Sequence, residues 1–536
     1  MSTLRSVTAA AAPASERIQL SRITQGTVTN VISLLITLGS QIVLTPLFLV
    51  TWGATLYGEW LTLSAAVAAM ALLDFGMQTF VVNRLTQCYA LGDFDEFTRV
   101  LHSGLSLAVA IAGLGAAVAI PVLLSAPVDQ WFRFSHTTAG TASVVAILLA
   151  LQVLGSIPYG LLTGVYRAIG EYPRSQMITN ARLLATAAMT AILLLTNGKL
   201  VSLASAQLAL IAAVGVIVVI DLRKRHPEID LSIRHATRSM ALSFLLPSSL
   251  FLVIQVASAL TVQASTVIAG ALYGAAAVTV FVTLRTIANV IRQAINALLY
   301  ALSPEIASLD AHGKFESLQT LHVFTTKILL VTSICAAVFL HFMGADLVRL
   351  WTRGQIQYDG SLMNAFLLLL LSQAYWLTSS YILGATNNHR TVAVCTIASG
   401  AAGLGLGVVL AHWFGLAGLA YGLSVADVII CGWVLPAAAC RLVRANCGDY
   451  MSDVLVRSVA FMVVVYACTY AVVRFVPAGD SMTRIVLTGA AVAASGIVFG
   501  YLVALCGPDR RRVVAVATSY FTQAPAVAMG QTDVAP

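Results

Sequence analysis

The sequence predicts an all-α polytopic membrane protein with about fourteen transmembrane helices, on three observations: its composition, the length of its apolar runs and the distribution of its basic residues. Of 536 residues, 59% are hydrophobic and only 10% charged, with a mean hydropathy of +0.89. Soluble domains carry roughly a quarter charged residues, so water is not the main solvent of this chain. A bilayer core about 30 Å thick takes about twenty apolar residues per helix, and such runs fill nearly the whole sequence.

The first six helices are expected at 26–50, 59–82, 100–125, 141–165, 177–196 and 200–221. A second six follow at 241–270, 276–303, 322–343, 362–385, 391–410 and 416–440, and a final pair at 454–475 and 485–506. The expected organisation is an N-terminal tail (1–25), a first six-helix lobe (26–221), a polar linker (222–240), a second lobe (241–440), a C-terminal helix pair (454–506) and a tail (507–536). The linker holds Arg223-Lys224-Arg225-His226-Pro227-Glu228, the most polar stretch inside the chain.

Positively charged loops stay cytoplasmic. With the N-terminus inside, nineteen of the 30 Lys and Arg fall on the cytoplasmic side and six on the other, so both termini are expected in the cytoplasm of a bacterial inner-membrane protein. The net charge of +8 is largely this bias, and a nucleic-acid partner does not follow from it. The N-terminus lacks a short apolar region with a cleavage site, so the first helix reads as a retained span. The 8 cysteines and 9 histidines are scattered, giving no metal or catalytic cluster, and no phosphate-binding Gly-x-x-x-x-Gly-Lys-Ser/Thr occurs. No cofactor and no catalysis are expected.

An internal echo divides the chain. Leu56-Tyr57-Gly58 precedes the second helix and Leu272-Tyr273-Gly274 the eighth; past each helix come Gly92-Asp93-Phe94-Asp95-Glu96-Phe97 and Gly313-Lys314-Phe315-Glu316-Ser317-Leu318. Six helices separate the matches, so the halves share orientation and are expected to be parallel repeats with a cleft between them.

Leu56-Tyr57-Gly58-Glu59-Trp60 leading into Leu73-Asp74-Phe75-Gly76, Ser303-Pro304-Glu305-Ile306-Ala307 before Gly313, and Phe414-Gly415-Leu416-Ala417-Gly418-Leu419-Ala420 together resemble the polysaccharide-biosynthesis branch of the MOP exporter superfamily. The resemblance covers most of the first twelve helices. It implies two six-helix bundles around a V-shaped cleft with the last pair at the side, and flipping of undecaprenyl-diphosphate-linked oligosaccharide for O-antigen, capsule or exopolysaccharide assembly. Lipid-linked oligosaccharide, membrane lipids and other polysaccharide-assembly proteins are the implied partners, and a proton or sodium gradient the implied energy source.

Intramembrane charge is costly, by roughly 2.5–3.5 kcal/mol per residue, and therefore marks cavities or pairs. Arg285, Asn289, Arg292 and Asn296 follow at steps of four, three and four, forming one cationic, amide-rich helical face beside Gln293. Guanidinium forks pair bidentately with phosphate oxygens, which suits a diphosphate headgroup. The competing reading is a structural pair for Arg292 and a snorkelling Arg285. Asn30, Ser33, Thr37 and Gln41 share one face of the first helix, as cavity lining or as helix glue, and Gln255 and Gln263 pose the same choice. Asp74 and Asp427 are the ion-coupling candidates, with an Asp74–Arg292 pair as the structural alternative for the first. Arg182, Lys327 and Arg457 read as snorkelling cations near helix ends.

Alternative functions are a lipid II flippase, a MATE-like exporter of drugs or cations, whose cavity should be acidic, and an integral-membrane glycosyltransferase or polymerase. The last class carries a large extramembrane loop, whereas the longest outer connections here are 126–140 and 344–361. Asp93-x-Asp95 reads better as a solvated helix start than as a nucleotide-sugar motif.

Overall fold

A computed structural model describes residues 14–246, 248, 252, 255–256, 259–386, 388–475, 481–505 and 510. Among the described residues all regular structure is helical. The first half comprises α1 (Ala14–Ala68), α2 (Met77–Leu91), α3 (Phe94–Ser125), the short α4 (Val128–Trp131), α5 (Ala139–Ala168), α6 (Tyr172–Leu195) and α7 (Leu200–Arg225). After α8 (Arg238–Ser243) come a π-helical turn (Leu260–Ala264), α9 (Ser265–Tyr273), α10 (Ala275–Ala311), α11 (Phe315–Trp351), α12 (Gly360–Ala385), α13 (His389–Phe414), α14 (Leu416–Leu442), α15 (Cys447–Phe475) and α16 (Ser481–Phe499).

Among the described residues twelve helical stretches are long and apolar enough to span a bilayer, so the chain is a multi-pass membrane protein. The first of them, Ile32–Leu91, has 60 residues, enough for two crossings. The span expected at 241–270 lies partly outside the described residues, as does the tail expected at 507–536, of which residue 510 alone is described. Side chains such as Leu114, Leu195, Trp413 and Ile497 stand exposed around the bundle, where lipid replaces water.

Gly53 breaks α1 at φ 72, ψ 171, and Gly274 separates α9 from α10 at φ 77, ψ 177, a region open essentially to glycine alone. The two helices after these breaks pack on each other. A Cβ on Gly58 would lie 1.8 Å from the Ala275 carbonyl oxygen, while Thr279 Oγ1 donates to the Ala54 carbonyl at 2.6 Å. Ala54 and Ala275 each follow a break glycine, and Gly58 and Thr279 each stand four residues further on, so the two contacts are reciprocal. Gly53, not Gly58, is thus the counterpart of Gly274: Leu56-Tyr57-Gly58 lies inside a helix, whereas Leu272-Tyr273-Gly274 ends at a break.

The second echo is structurally faithful. Gly92 and Gly313 both take left-handed φ, 71 and 65. Gly92 N–H donates to Tyr89 O and Asp93 N–H to Cys88 O; Gly313 N–H donates to Asp310 O and Lys314 N–H to Leu309 O. Both turns are the same Schellman cap. The Asp93 carboxylate then caps α3 by accepting the Glu96 N–H at 3.0 Å, so this acidic run is a helix start, as expected.

The second expected helix is not continuous. A 3-10 turn, Ala69–Asp74, ends in left-handed Phe75 and Gly76 before α2 begins, and Asp74 accepts the Gln78 N–H at 3.4 Å. Glu59 from the Gly-Glu-Trp phrase is fully buried and accepts the backbone N–H groups of Ser135 and His136 at 2.8 and 2.9 Å and the Thr137 hydroxyl. It ties the connection between α4 and α5 to α1.

The C-terminal helices pack at the side of α11, and the tie corrects the snorkelling assignment of Lys327. This lysine is 1% exposed and its Nζ meets Asp453 Oδ2 of α15 at 2.6 Å, with Arg457 on the other carboxylate oxygen. Beside it, His322 stacks on Tyr450 at 4.5 Å and shares a 2.8 Å hydrogen bond with Ser379 Oγ. Removing one member of a buried pair costs about 3–5 kcal/mol, whereas replacing both by apolar groups is often neutral. Lys327→Ala is therefore expected to lower the yield of folded protein in detergent, and Lys327→Met with Asp453→Leu to restore it. Equal folding of the single and double variants would refute the tie.

Candidate functional site

The described residues enclose a cavity of about 580 Å³ whose walls come from the second half of the chain: the π-helical turn, α10, α12, α13 and α14. Arg285, Asn289 and Arg292 line it from α10. The opposite wall carries Gln373, Trp376, Ser380, Tyr381 and His389, with Asp427 of α14 behind them.

Arg285 is held by neutral partners. One guanidinium nitrogen donates to the Val262 carbonyl at 2.9 Å and to Ser265 Oγ at 3.2 Å, the other to Thr266 Oγ1 at 3.0 Å, and the group lies 5.4 Å from the Phe281 ring centre. The π-helical register just before α9 leaves the Val262 carbonyl accessible to a side chain, a geometry that recurs at functional sites. Arg292 donates to Asn289 Oδ1 at 3.1 Å within its own helix. Among the described residues neither arginine forms an ion pair. Asp427 is likewise served by neutral donors, Ser372 Oγ at 2.6 Å and Trp376 Nε1 at 2.8 Å. Among the described residues the cavity thus presents two arginines and one aspartate, none of them in an ion pair.

Four of the eight candidate residues from the sequence, Arg285, Asn289, Arg292 and Asp427, share this cavity. Asn296 lies beyond it, where the Tyr381 hydroxyl meets its backbone and side-chain oxygens at 3.4 Å. Asn30 joins helices: its Oδ1 accepts from the Tyr172 hydroxyl at 3.0 Å and Gln176 Nε2 at 2.6 Å, both on α6. Ser33 and Asn180 extend the same α1–α6 junction. Gln41 is half-buried in α1 with Oε1 unpartnered among the described residues. Asp74 is buried at the break before α2 and forms no pair with Arg292. Asp74 does not line the cavity that the arginine face enters, whose walls belong to the second half.

Gln373, Trp376, Ser380 and Gly384, at steps of three, four and four, are the lining that sequence reasoning passed over. Their helical spacing within an otherwise apolar run is the signal that marks them. A second, apolar groove of about 390 Å³ lies between α11, α12, α14 and α15, lined by Ile334, Leu371, Trp433, Met451 and Leu455.

No family model matches this chain and no curated protein matches it. Solved structures do. An inward-closed structure of the lipid II flippase MurJ is similar with a TM-score of 0.66 at 14% identity, over 89% of this chain and 98% of that one. An inward-facing MATE-family multidrug resistance transporter of the MOP superfamily is similar at 0.64 and 16% identity, over 78% and 98%. An outward-facing structure described in the same terms gives 0.53 and 15%, over 80% and 96%. The fold is therefore the one shared by MATE transporters and the MurJ flippase.

Proposed function

We propose that this protein is a flippase of the bacterial inner membrane that moves undecaprenyl-diphosphate-linked oligosaccharide outward by alternating access. The observation that carries the reading is the pair of guanidiniums, Arg285 and Arg292, without a carboxylate partner among the described residues, on one wall of a cavity of about 580 Å³. An intramembrane cation is stabilised by a counter-charge, and a diphosphate supplies one to both arginines through bidentate bonds. The polar wall of Gln373, Trp376, Ser380 and Tyr381 suits the first sugars, and the isoprenoid tail stays in lipid. The two halves act as parallel repeats, the cytoplasm holds both termini, and Asp427 and Asp74 remain the candidates for ion coupling.

A cation exporter is the second reading, favoured by Asp427 in the same cavity. The test is transfer of fluorescent undecaprenyl-diphosphate oligosaccharides by the purified protein in liposomes under an imposed ion gradient, beside a cationic dye. Lipid transfer without dye transport is expected. Dye transport without lipid transfer would hand the cavity to the exporter reading.

A further inference from the structure

His102 of α3 has a fully buried side chain, and both its ring nitrogens face the segment 226–237 that joins α7 to α8. Nε2 lies 3.0 Å from the Asp230 carbonyl oxygen and 3.5 Å from Asp230 Oδ2, and Nδ1 accepts the His235 backbone N–H at 3.2 Å. The His235 imidazole stacks on His102 at 5.3 Å between ring centres and makes no hydrogen bond of its own among the described residues. One donor atom from each of the three side chains lies within 4.8 Å of the others.

We propose that His102, Asp230 and His235 form a divalent transition-metal site of the Zn²⁺ class that staples this segment to α3. Two imidazoles and a carboxylate are a donor set for zinc, cobalt or nickel, with a fourth position for water. Metal bonds of about 2.0–2.2 Å bring ligand atoms to roughly 3.4 Å from one another, a spacing that His102 Nε2 and Asp230 Oδ2 already have at 3.5 Å, so no pair has to close by more than about 1.4 Å. Asp230 and His235 are exposed on a segment without helical restraint, and the Asp230 carboxylate, which accepts the Ser232 N–H at 2.9 Å and the Ser232 hydroxyl at 2.8 Å, keeps lone pairs for a metal. Binding exchanges the hydrogen bond from His102 Nε2 to the Asp230 carbonyl for an Nε2–metal bond; the ring proton moves to Nδ1, so the imidazole stays neutral and the His235 N–H turns away from that nitrogen. The staple adds to the existing tie in which Thr237 N–H donates to Ser103 Oγ at 3.2 Å.

The test uses untagged, chelator-treated, full-length protein in detergent, titrated with Co²⁺ as a spectroscopic probe and then with competing Zn²⁺. One equivalent of Co²⁺ with the ligand-field absorption of a four-coordinate ion, displaced by Zn²⁺, is expected. Asp230→Asn and His235→Ala alter exposed side chains and leave folding intact. Each is expected to weaken binding by more than the roughly 10–100-fold that loss of an outer-shell partner costs. Absence of saturable one-to-one binding in the wild type, or equal binding by both variants, overturns the site and leaves a hydrogen-bonded strap.

Discussion

Arg292→Ala abolishes glycan export while membrane abundance stays at the wild-type level: this is the outcome expected if the cavity binds the headgroup. Among the described residues the guanidinium has one hydrogen-bond partner, Asn289 on its own helix, so truncation breaks no described tie to another helix. Arg285→Lys is expected to be nearly as harmful for a different reason. Two nitrogens of Arg285 reach three acceptors on the π-helical turn and α9, a fork that a single ammonium cannot reproduce. Each hydrogen bond to a charged group contributes about 1.5–3 kcal/mol, so losing one slows transfer by roughly 10–100-fold. Transfer rates in liposomes alongside immunoblots of membranes separate the roles. Normal transfer by both variants removes the arginines from the site, and loss of the protein from membranes assigns them to folding.

Gly58 is the position where the smallest substitution is expected to do the most damage. The Cβ of an alanine there would overlap the Ala275 carbonyl, at 1.8 Å from its oxygen and 2.4 Å from its carbon, and a backbone carbonyl inside α10 cannot rotate away. Gly58→Ala therefore forces α1 and α10 apart and breaks the Thr279–Ala54 bond beside it. Loss of transport is expected, with increased labelling of Ala54→Cys by a water-soluble thiol reagent in a background lacking the native cysteines. Wild-type transport and unchanged labelling would show that this seam is dispensable.

Much of this architecture is legible in the sequence because bilayer physics permits so few solutions. Long apolar runs must be helices, and the Schellman caps at Gly92 and Gly313 announce themselves by Gly-x-Phe-acid. Close approach is not legible: nothing in Trp52-Gly53-Ala54 distinguishes a break glycine from the helical Gly58, and the echo misplaces the correspondence by five residues. Helical spacing put Arg285, Asn289 and Arg292 on one face but gave no information on which helix that face meets. The same periodicity grouped Asn30 with Gln41, although Asn30 is spent on α6. Lys327 sat in an apolar run with Asp453 more than a hundred residues away, so its partner was invisible until the helices were packed.

Gly403, Gly407, Gly418 and Gly422 bring α13 and α14 into main-chain contact: a Cβ on Gly422 would lie 2.1 Å from the Gly407 nitrogen, and one on Gly418 2.4 Å from the Leu410 carbonyl. Sliding either helix along the other would drive peptide groups into one another, so this pair is a welded plate with no shear mode. Asp427 rides on that plate, whereas both arginines ride on α10, whose first turn is the seam with α1. Carboxylate and guanidiniums thus stand on separate supports, and any displacement of α10 against the plate changes the gap between them.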